Sequence, residues 1–390
     1  MKPRSRRSLR RFALAATLAI QASLGLGPVA PAGAVEPLRT IESLRSVGRT
    51  PVIEARPAGQ AVRAVEPSRI STTTTARTRP TIEAVGSPWT PRWPGRILDL
   101  ATVTPLPTFA GLPFKTSAYA IRTLDWPDLP LNGGSLPRLA APPNADPEGI
   151  PYKVVNGKNY YSPGNLAGDG LRFVDAYVRT GDPAYLKPAR VRAQELMSLG
   201  HLRGGALYFP YLFDYPNERL VAPWYSAYSQ GLALSFFVRL YRATGEWQFV
   251  ETARSVAMSF RQVGTARSPG GATAWVAYVP SGYLWLEEYP QRTPTHVLNG
   301  FNFALFGLYD YERLTRDPTG GALLQGALRT MRTYAGVYRV PGGISYYDLV
   351  HKTQHAHYHA IHIWQLADLG AISGDPWFGQ LSALFAADHA

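Results

Sequence analysis

The chain has 390 residues, 45% of them hydrophobic, enough for a sizeable core in one large or two small domains. It contains no cysteine, which excludes a disulfide framework and any thiolate nucleophile or metal ligand. The formal charge of +13 suggests a polyanionic partner, but six basic residues in 1–34 and a surplus of five in 35–97 leave only +2 for residues 98–390, so nucleic-acid binding has little support.

In chain order, Lys2 to Arg11 is a basic n-region, Phe12 to Gly27 an apolar run and Ala32-Gly33-Ala34 a small-residue cleavage site. Residues 1–34 therefore read as a signal peptide, and the expectation is an exported protein, periplasmic or secreted. Ser5-Arg6-Arg7-Ser8-Leu9 also fits a twin-arginine signal loosely, which leaves the Sec and twin-arginine routes both open. Gly25, Gly27 and Pro28 interrupt the apolar run, which falls short of the ~20 residues of a spanning helix, so cleavage is favoured over anchoring. Residues 35–97 are rich in Pro, Arg and Thr without a sustained apolar period and read as a flexible linker. Residues 98–150 stay Pro-rich, as in Thr104-Pro105-Leu106-Pro107, and read as an extended arm of short strands or turns packed on the domain that follows.

Residues 151–390 form that domain. From about Gly168 the apolar period becomes helical: Val174, Tyr177 and Val178 share one face, as do Leu234, Phe237, Val238 and Tyr241. Gly181-Asp182-Pro183, Asp317-Pro318 and Gly374-Asp375-Pro376 each offer an Asp N-cap followed by a Pro suited to the first helical position. Helices that keep ending and restarting in this way point to an all-α stack of antiparallel hairpins, with long loops at one end carrying chemistry.

Several motifs stand out on this background. Tyr208, Tyr211 and Tyr215 lie in an aromatic loop of the kind that stacks on sugar rings, although core packing explains them equally well. Trp224-Tyr225-Ser226-Ala227 leads into Gln230-Gly231. Glu287-Glu288-Tyr289-Pro290 precedes Asn299-Gly300, which reads as the cap of a helix carrying Phe301, Leu305 and Leu308, while Glu287 reads as a solvated loop acid or a cap. Tyr346-Tyr347-Asp348-Leu349 precedes a cluster of five histidines, His351, His355, His357, His359 and His362. With no Cys and no HExxH pattern nearby, these histidines read as loop and helix-face residues rather than metal ligands. No phosphate-cradling loop, serine elbow or dinucleotide fingerprint is present.

These motifs, with Tyr358-His359, His362-Ile363 and Gln365-Leu366 and a weaker match at Tyr160-Tyr161, resemble the D-glucuronyl C5-epimerases over roughly residues 150–390. Members of that family invert the uronic acid carbon next to the carboxylate in heparan-type chains. The resemblance implies an α/α toroid, no cofactor, a heparosan-like acidic polysaccharide as partner and room for a homodimer. It equates Glu288 with the family's essential glutamate, Tyr289 with the tyrosine beside it, and Tyr347 and Tyr358 with two downstream catalytic tyrosines. Inverting C5 requires a base on one face, an acid on the other and stabilisation of a dianionic intermediate. The expectation makes Glu288 and Tyr358 the opposed pair, with Tyr289 and Tyr347 holding the carboxylate and relaying protons. A tyrosine with an ordinary pKa of ~10 needs a neighbouring cation before it serves as base near neutrality. Arg292, Asn299, His351, His359, Tyr215 and Tyr225 are the candidate substrate contacts.

Two departures from the family pattern bear on activity. Residues 35–150 are too Pro-rich to supply the β-rich domain of eukaryotic members, and Val350 stands where the family has an arginine after YYDL. Two alternatives therefore remain at this point: a polysaccharide lyase sharing the first proton abstraction, and a non-catalytic uronan-binding envelope protein.

Overall fold

Each Asp-Pro mark closes one helix and starts the next. Gly181 ends the first long helix in the left-handed conformation (φ 71°), its N–H donating to Tyr177 O. Asp182 then accepts from Ala184 N, with Pro183 starting a short 3-10 turn that feeds the next helix. Asp317 accepts from the N–H groups of Thr319 and Gly320, and Asp375 from that of Trp377. Proline at the first position costs nothing there, because its missing N–H would have had no helical partner.

The computed structural model describes residues 103–264 and 274–389. The expected signal peptide (1–34) and linker (35–97) lie outside the described residues. Within them are eight α-helices: α1 (Pro163–Thr180), α2 (Leu186–Leu199), α3 (Ala227–Thr244), α4 (Trp247–Arg261), α5 (Leu298–Thr315), α6 (Pro318–Tyr334), α7 (Ala356–Ser373) and α8 (Pro376–Asp388). Consecutive helices pair as hairpins, α1 with α2, α3 with α4, α5 with α6 and α7 with α8. The odd-numbered helices pack on one another in sequence, α1 on α3, α3 on α5 and α5 on α7, forming an inner layer backed by the even-numbered helices. This is an incomplete α/α toroid.

The inner helices are accordingly apolar nearly all round. Every residue of α3 from Ala227 to Leu240 is buried, as is every residue of α5 from Leu298 to Tyr311. Glycine lets these two helices touch. A Cβ on Gly231 would fall on Ala304 Cα, and one on Gly307 would fall on Gly231 O.

Connections within hairpins are short, whereas those between hairpins (200–226, 262–297 and 335–355) are long. Because each hairpin returns the chain to the end where it began, the inner-helix N-termini and the long loops gather at one end. Small β elements brace that end: the hairpin β1 (Lys153–Val155) with β2 (Lys158–Tyr160), and β3 (His201–Arg203) with β4 (Ala206–Tyr208). A three-stranded sheet adds β5 (Val263–Gly264) parallel to β6 (Ala277–Tyr278), which pairs antiparallel with β7 (Trp285–Leu286).

The arm contributes backbone rather than regular structure. Leu106 N donates to Asp317 Oδ2, Ser117 N to Gln325 O, Arg122 N to Ile372 O, and Trp126 Nε1 to Asp175 Oδ1. Its firmest attachment is Arg239 of α3. That guanidinium donates to Asp310 Oδ2 on α5 at 2.8 Å, to Asn132 Oδ1 at 2.6 Å and to Pro130 O at 2.8 Å. Arg239 and Asp310 are 1% and 3% exposed, so two charges are held without water and survive only because each has its partner. Arg239→Met should leave Asp310 and Asn132 buried without that partner and cost about 3–5 kcal/mol by chemical denaturation; a loss below about 1 kcal/mol would show that the arm attachment is incidental.

Candidate active site

Glu287 directly follows β7 and keeps its ladder contacts, and the backbone then bends at Glu288, so the two side chains part company. Glu287 N donates to Val276 O, and Glu287 O accepts from Ala227 N, which pins the strand between β6 and the start of α3. The Glu287 side chain is fully buried and meets His296, Oε1 lying 2.6 Å from Nδ1. His296 stacks on Trp285 with ring centroids 3.9 Å apart. Glu287 is thus a buried structural acid and not the solvated one its loop position suggested.

Glu288 points the other way, into a cleft of about 570 Å³ at the inner-helix N-terminal end. The cleft is lined from four regions of sequence: Lys153 and Ser162 ahead of α1, Tyr211 to Tyr228 from the aromatic loop and the start of α3, Glu288 and Tyr289, and Tyr347 to Tyr358. Glu288 is 3% exposed, and its Oε2 has no hydrogen-bond partner. Loss of water therefore pushes its pKa up to about 8; hydrogen bonding from Tyr289 and Tyr347 offsets part of that rise, and the Glu218 charge adds to it. Gly300, in the first turn of α5, makes room for this carboxylate, since a Cβ there would fall on Glu288 Oε2.

Three tyrosines surround the acid. Tyr289 and Tyr347 bring their hydroxyls to 3.3 Å of each other, and the Tyr347 and Tyr358 rings lie 4.5 Å apart. Burial and the Glu288 charge push all three hydroxyls well above the ordinary phenol value. The expected phenol-lowering cation is therefore not in effect here, and the tyrosines stay protonated donors near neutrality. Tyr347 is fixed through its backbone, with N donating to Thr353 O and O accepting from Leu298 N. Asp348 closes the same turn by accepting from the N–H groups of Val350 and His351 and from Thr353 Oγ1.

A wall of stacked rings completes the cleft. Tyr211 lies on Trp224 at 4.0 Å with planes 7° apart, and Tyr215 stacks on the same indole at 6.1 Å. Tyr215 also meets Tyr289 at 5.7 Å. Flat aromatic faces next to polar groups suit the C–H faces of a sugar ring.

Of the ten residues singled out in the sequence, Glu288, Tyr289, Tyr347, Tyr358, Tyr215 and His351 line this cleft. The other four do not. Tyr225 is buried beside β3 with its hydroxyl 3.0 Å from His201 Nδ1. His359 faces α8, its Nδ1 accepting from Ser345 N and its Nε2 lying 3.0 Å from Phe385 O. Arg292 is exposed on the loop. Asn299 does not cap α5: the helix begins at Leu298 with Val297 as N-cap, and Asn299 is buried against Gln365, which donates to its backbone oxygen. Lys153, Asn217 and Glu218 also line the cleft, although no sequence motif pointed to them, and so do His355 and His357 of the histidine cluster. Among the described residues no three His, Asp or Glu side chains converge as metal ligands, and no helix is long and apolar enough to cross a membrane.

Comparison with known proteins bears on this geometry. Residues 205–386 match the family model described as D-glucuronyl C5-epimerase C-terminus. The chain is 28% identical over 165 residues to an uncharacterized protein of Methanocaldococcus jannaschii, covering 42% of this chain and 52% of that one. It is 29% identical over 180 residues to the D-glucuronyl C5-epimerase of Caenorhabditis elegans, covering 41% of this chain and 28% of that protein. The match thus spans about half or less of either relative's own length. Among solved structures, cellobiose 2-epimerase from Bacillus thermoamylovorans B4167 aligns with a TM-score of 0.44 and 10% identity, covering 63% of this chain and 65% of that one. The matched segment carries the aromatic wall, Glu288 and all three tyrosines, and over that segment the chain is similar to the D-glucuronyl C5-epimerase C-terminus family.

Proposed function

We propose that the protein is a carbohydrate C5-epimerase that converts D-glucuronosyl to L-iduronosyl residues within a heparosan-like polysaccharide. The observation that carries this reading is one desolvated carboxylate, Glu288, sharing a cleft with three protonated tyrosines. With a pKa near 8, Glu288 is the group in that set able to exchange a proton in the neutral to mildly alkaline range. As carboxylate it takes the C5 proton, and the C–H electron pair moves into the substrate carboxylate to give an enediolate. The Tyr358 hydroxyl returns a proton to C5 from the opposite face, and its phenolate is reprotonated by way of Tyr347 and Tyr289 or by water. The enediolate would form close to the N-terminal ends of α1, α3 and α7, where the helix dipoles favour negative charge. An exported location belongs to the proposal and rests on the sequence of residues 1–34.

The test is incubation with heparosan oligosaccharide in deuterated water. Deuterium at C5 together with iduronate signals in the NMR spectrum supports the reading. An ultraviolet-absorbing unsaturated uronate would identify a lyase instead, and absence of both would leave a binding protein.

Tyr358→Phe keeps the ring that packs on Tyr347 and removes the acid. Epimerisation should fall at least ~100-fold, with stability changed by only about 1 kcal/mol, while Glu288-side exchange without inversion persists. Near-normal inversion in that variant would make Tyr358 a packing residue. Gly300→Ala adds a good helix former to α5 yet displaces the Glu288 carboxylate, so activity should drop ~10-fold or more with cooperative melting retained; unchanged kcat/KM would show that the position of Glu288 is not critical.

The pH dependence follows from the raised pKa. A base must be ionised, so kcat/KM should rise with pH to a midpoint near 8. Stability should move oppositely. The folded state holds the Glu288 proton more tightly than the unfolded chain, so this contribution is complete below the ordinary glutamate value. It is lost as pH rises through about 8. Denaturation of wild type and Glu288→Gln across that window should show the glutamine variant losing less stability, whereas parallel curves would contradict the assignment.

A further inference from the structure

The acids lining the cleft are Glu218, Glu288 and Asp348, yet the substrate proposed for it is itself an anion. Among the described residues the one permanent cation in that lining is Lys153, which no motif marked. We infer that the Lys153 ammonium is the anchor for the substrate carboxylate and the determinant that selects uronosyl over neutral sugar residues. This inference rests on the reading of the cleft as a uronate site.

The local structure places Lys153 for that task. β1 and β2 are joined through Asn156 (φ 51°) and Gly157 (φ 73°), the left-handed pair of a tight two-residue hairpin turn, which fixes the register with Lys153 opposite Tyr160. Within β1 the pattern alternates: Lys153 and Val155 are partly covered and Val154 is exposed. The covered face lies on the aromatic wall, with Val155 and Tyr160 packed against the cluster of Tyr211, Phe213, Leu220 and Trp224. Lys153 Nζ sits over the Phe213 ring at 5.2 Å. Its stem is held and its charge is aimed along the wall on which a sugar would stack.

The same amine is half-buried, and no carboxylate among the described residues forms an ion pair with it. Glu218 is committed to Gln291 Nε2 at 2.5 Å, and Asp348 to the N–H groups of its own turn. A partly desolvated, unpaired ammonium in a cleft is poised for an incoming anion, because a bound carboxylate supplies the partner the fold withholds. As the C–H electrons move into that carboxylate its charge grows, so the same contact tightens on the way to the enediolate.

The experiment measures binding by calorimetry with the full chain, using hexasaccharides of heparosan and of two other uronans, each beside its carboxyl-reduced, neutral counterpart. Wild type should bind at least one uronan hexasaccharide ~10- to 100-fold more tightly than its reduced form. Lys153→Met should remove that preference while leaving affinity for the reduced form unchanged, and Lys153→Arg should restore part of it. A preference that survives in Lys153→Met, or no uronan binding by wild type, overturns the anchor. Carboxylate-dependent binding through Lys153 without any C5 exchange leaves the anchor standing and removes the epimerase reading alone.

Discussion

The site depends on a carboxylate kept out of water without an ion-pair partner. Glu288 is at once 3% exposed, adjacent to neutral phenols and pressed against the first turn of α5. Burial raises the cost of its charge more than the hydrogen bonds from Tyr289 and Tyr347 lower it, so its pKa is pushed up to about 8. The surrounding architecture maintains those conditions. The inner helices crowd together through Gly231 and Gly307, β7 leads directly into the segment that carries the acid, and Gly300 leaves room beside α5 for the carboxylate. Replacing any of these supports alters the environment of the acid before it touches the substrate.

The two adjacent glutamates have separate tasks. Glu287 turns inward to His296 and the Trp285 stack and ties the loop to the core. One residue later the backbone bends, and Glu288 lies in the cleft. Tyr347 has an equivalent support, because Asp348 spends both carboxylate oxygens on the turn that holds it. The reactive groups are thus positioned by neighbours whose own polar atoms are satisfied within the fold, an arrangement that keeps a polar cleft rigid.

What could be read from the sequence was local. Asp317 and Asp375 announced helix starts because a cap and its proline are separated by one peptide bond, and both cap as expected. The helical period of Leu234, Phe237 and Val238 likewise reported burial in α3. What failed depended on long-range packing. Asn299 looked like a cap, but α5 begins one residue earlier, and Asn299 is buried inside the helix with its backbone oxygen accepting from Gln365 of α7. His359 belongs to a histidine-rich stretch, yet helical spacing carries it towards α8 and away from the cleft that holds His355 and His357. Lys153 carried no motif, because the role proposed for it comes from a hairpin folding onto an aromatic loop some sixty residues downstream. An alternating strand pattern beside an Asn-Gly turn was the available cue.

The central claim is that Glu288 is protonated at neutral pH and releases its proton near pH 8. Infrared difference spectroscopy tests it directly by comparing wild type with Glu288→Gln from about pH 5 to 10. The account requires a protonated-carboxyl C=O band present only in wild type at pH 7, disappearing with a midpoint near 8 as the carboxylate bands grow. If Glu288 is already ionised at pH 6, with no such band, the desolvated acid on which the account rests does not exist.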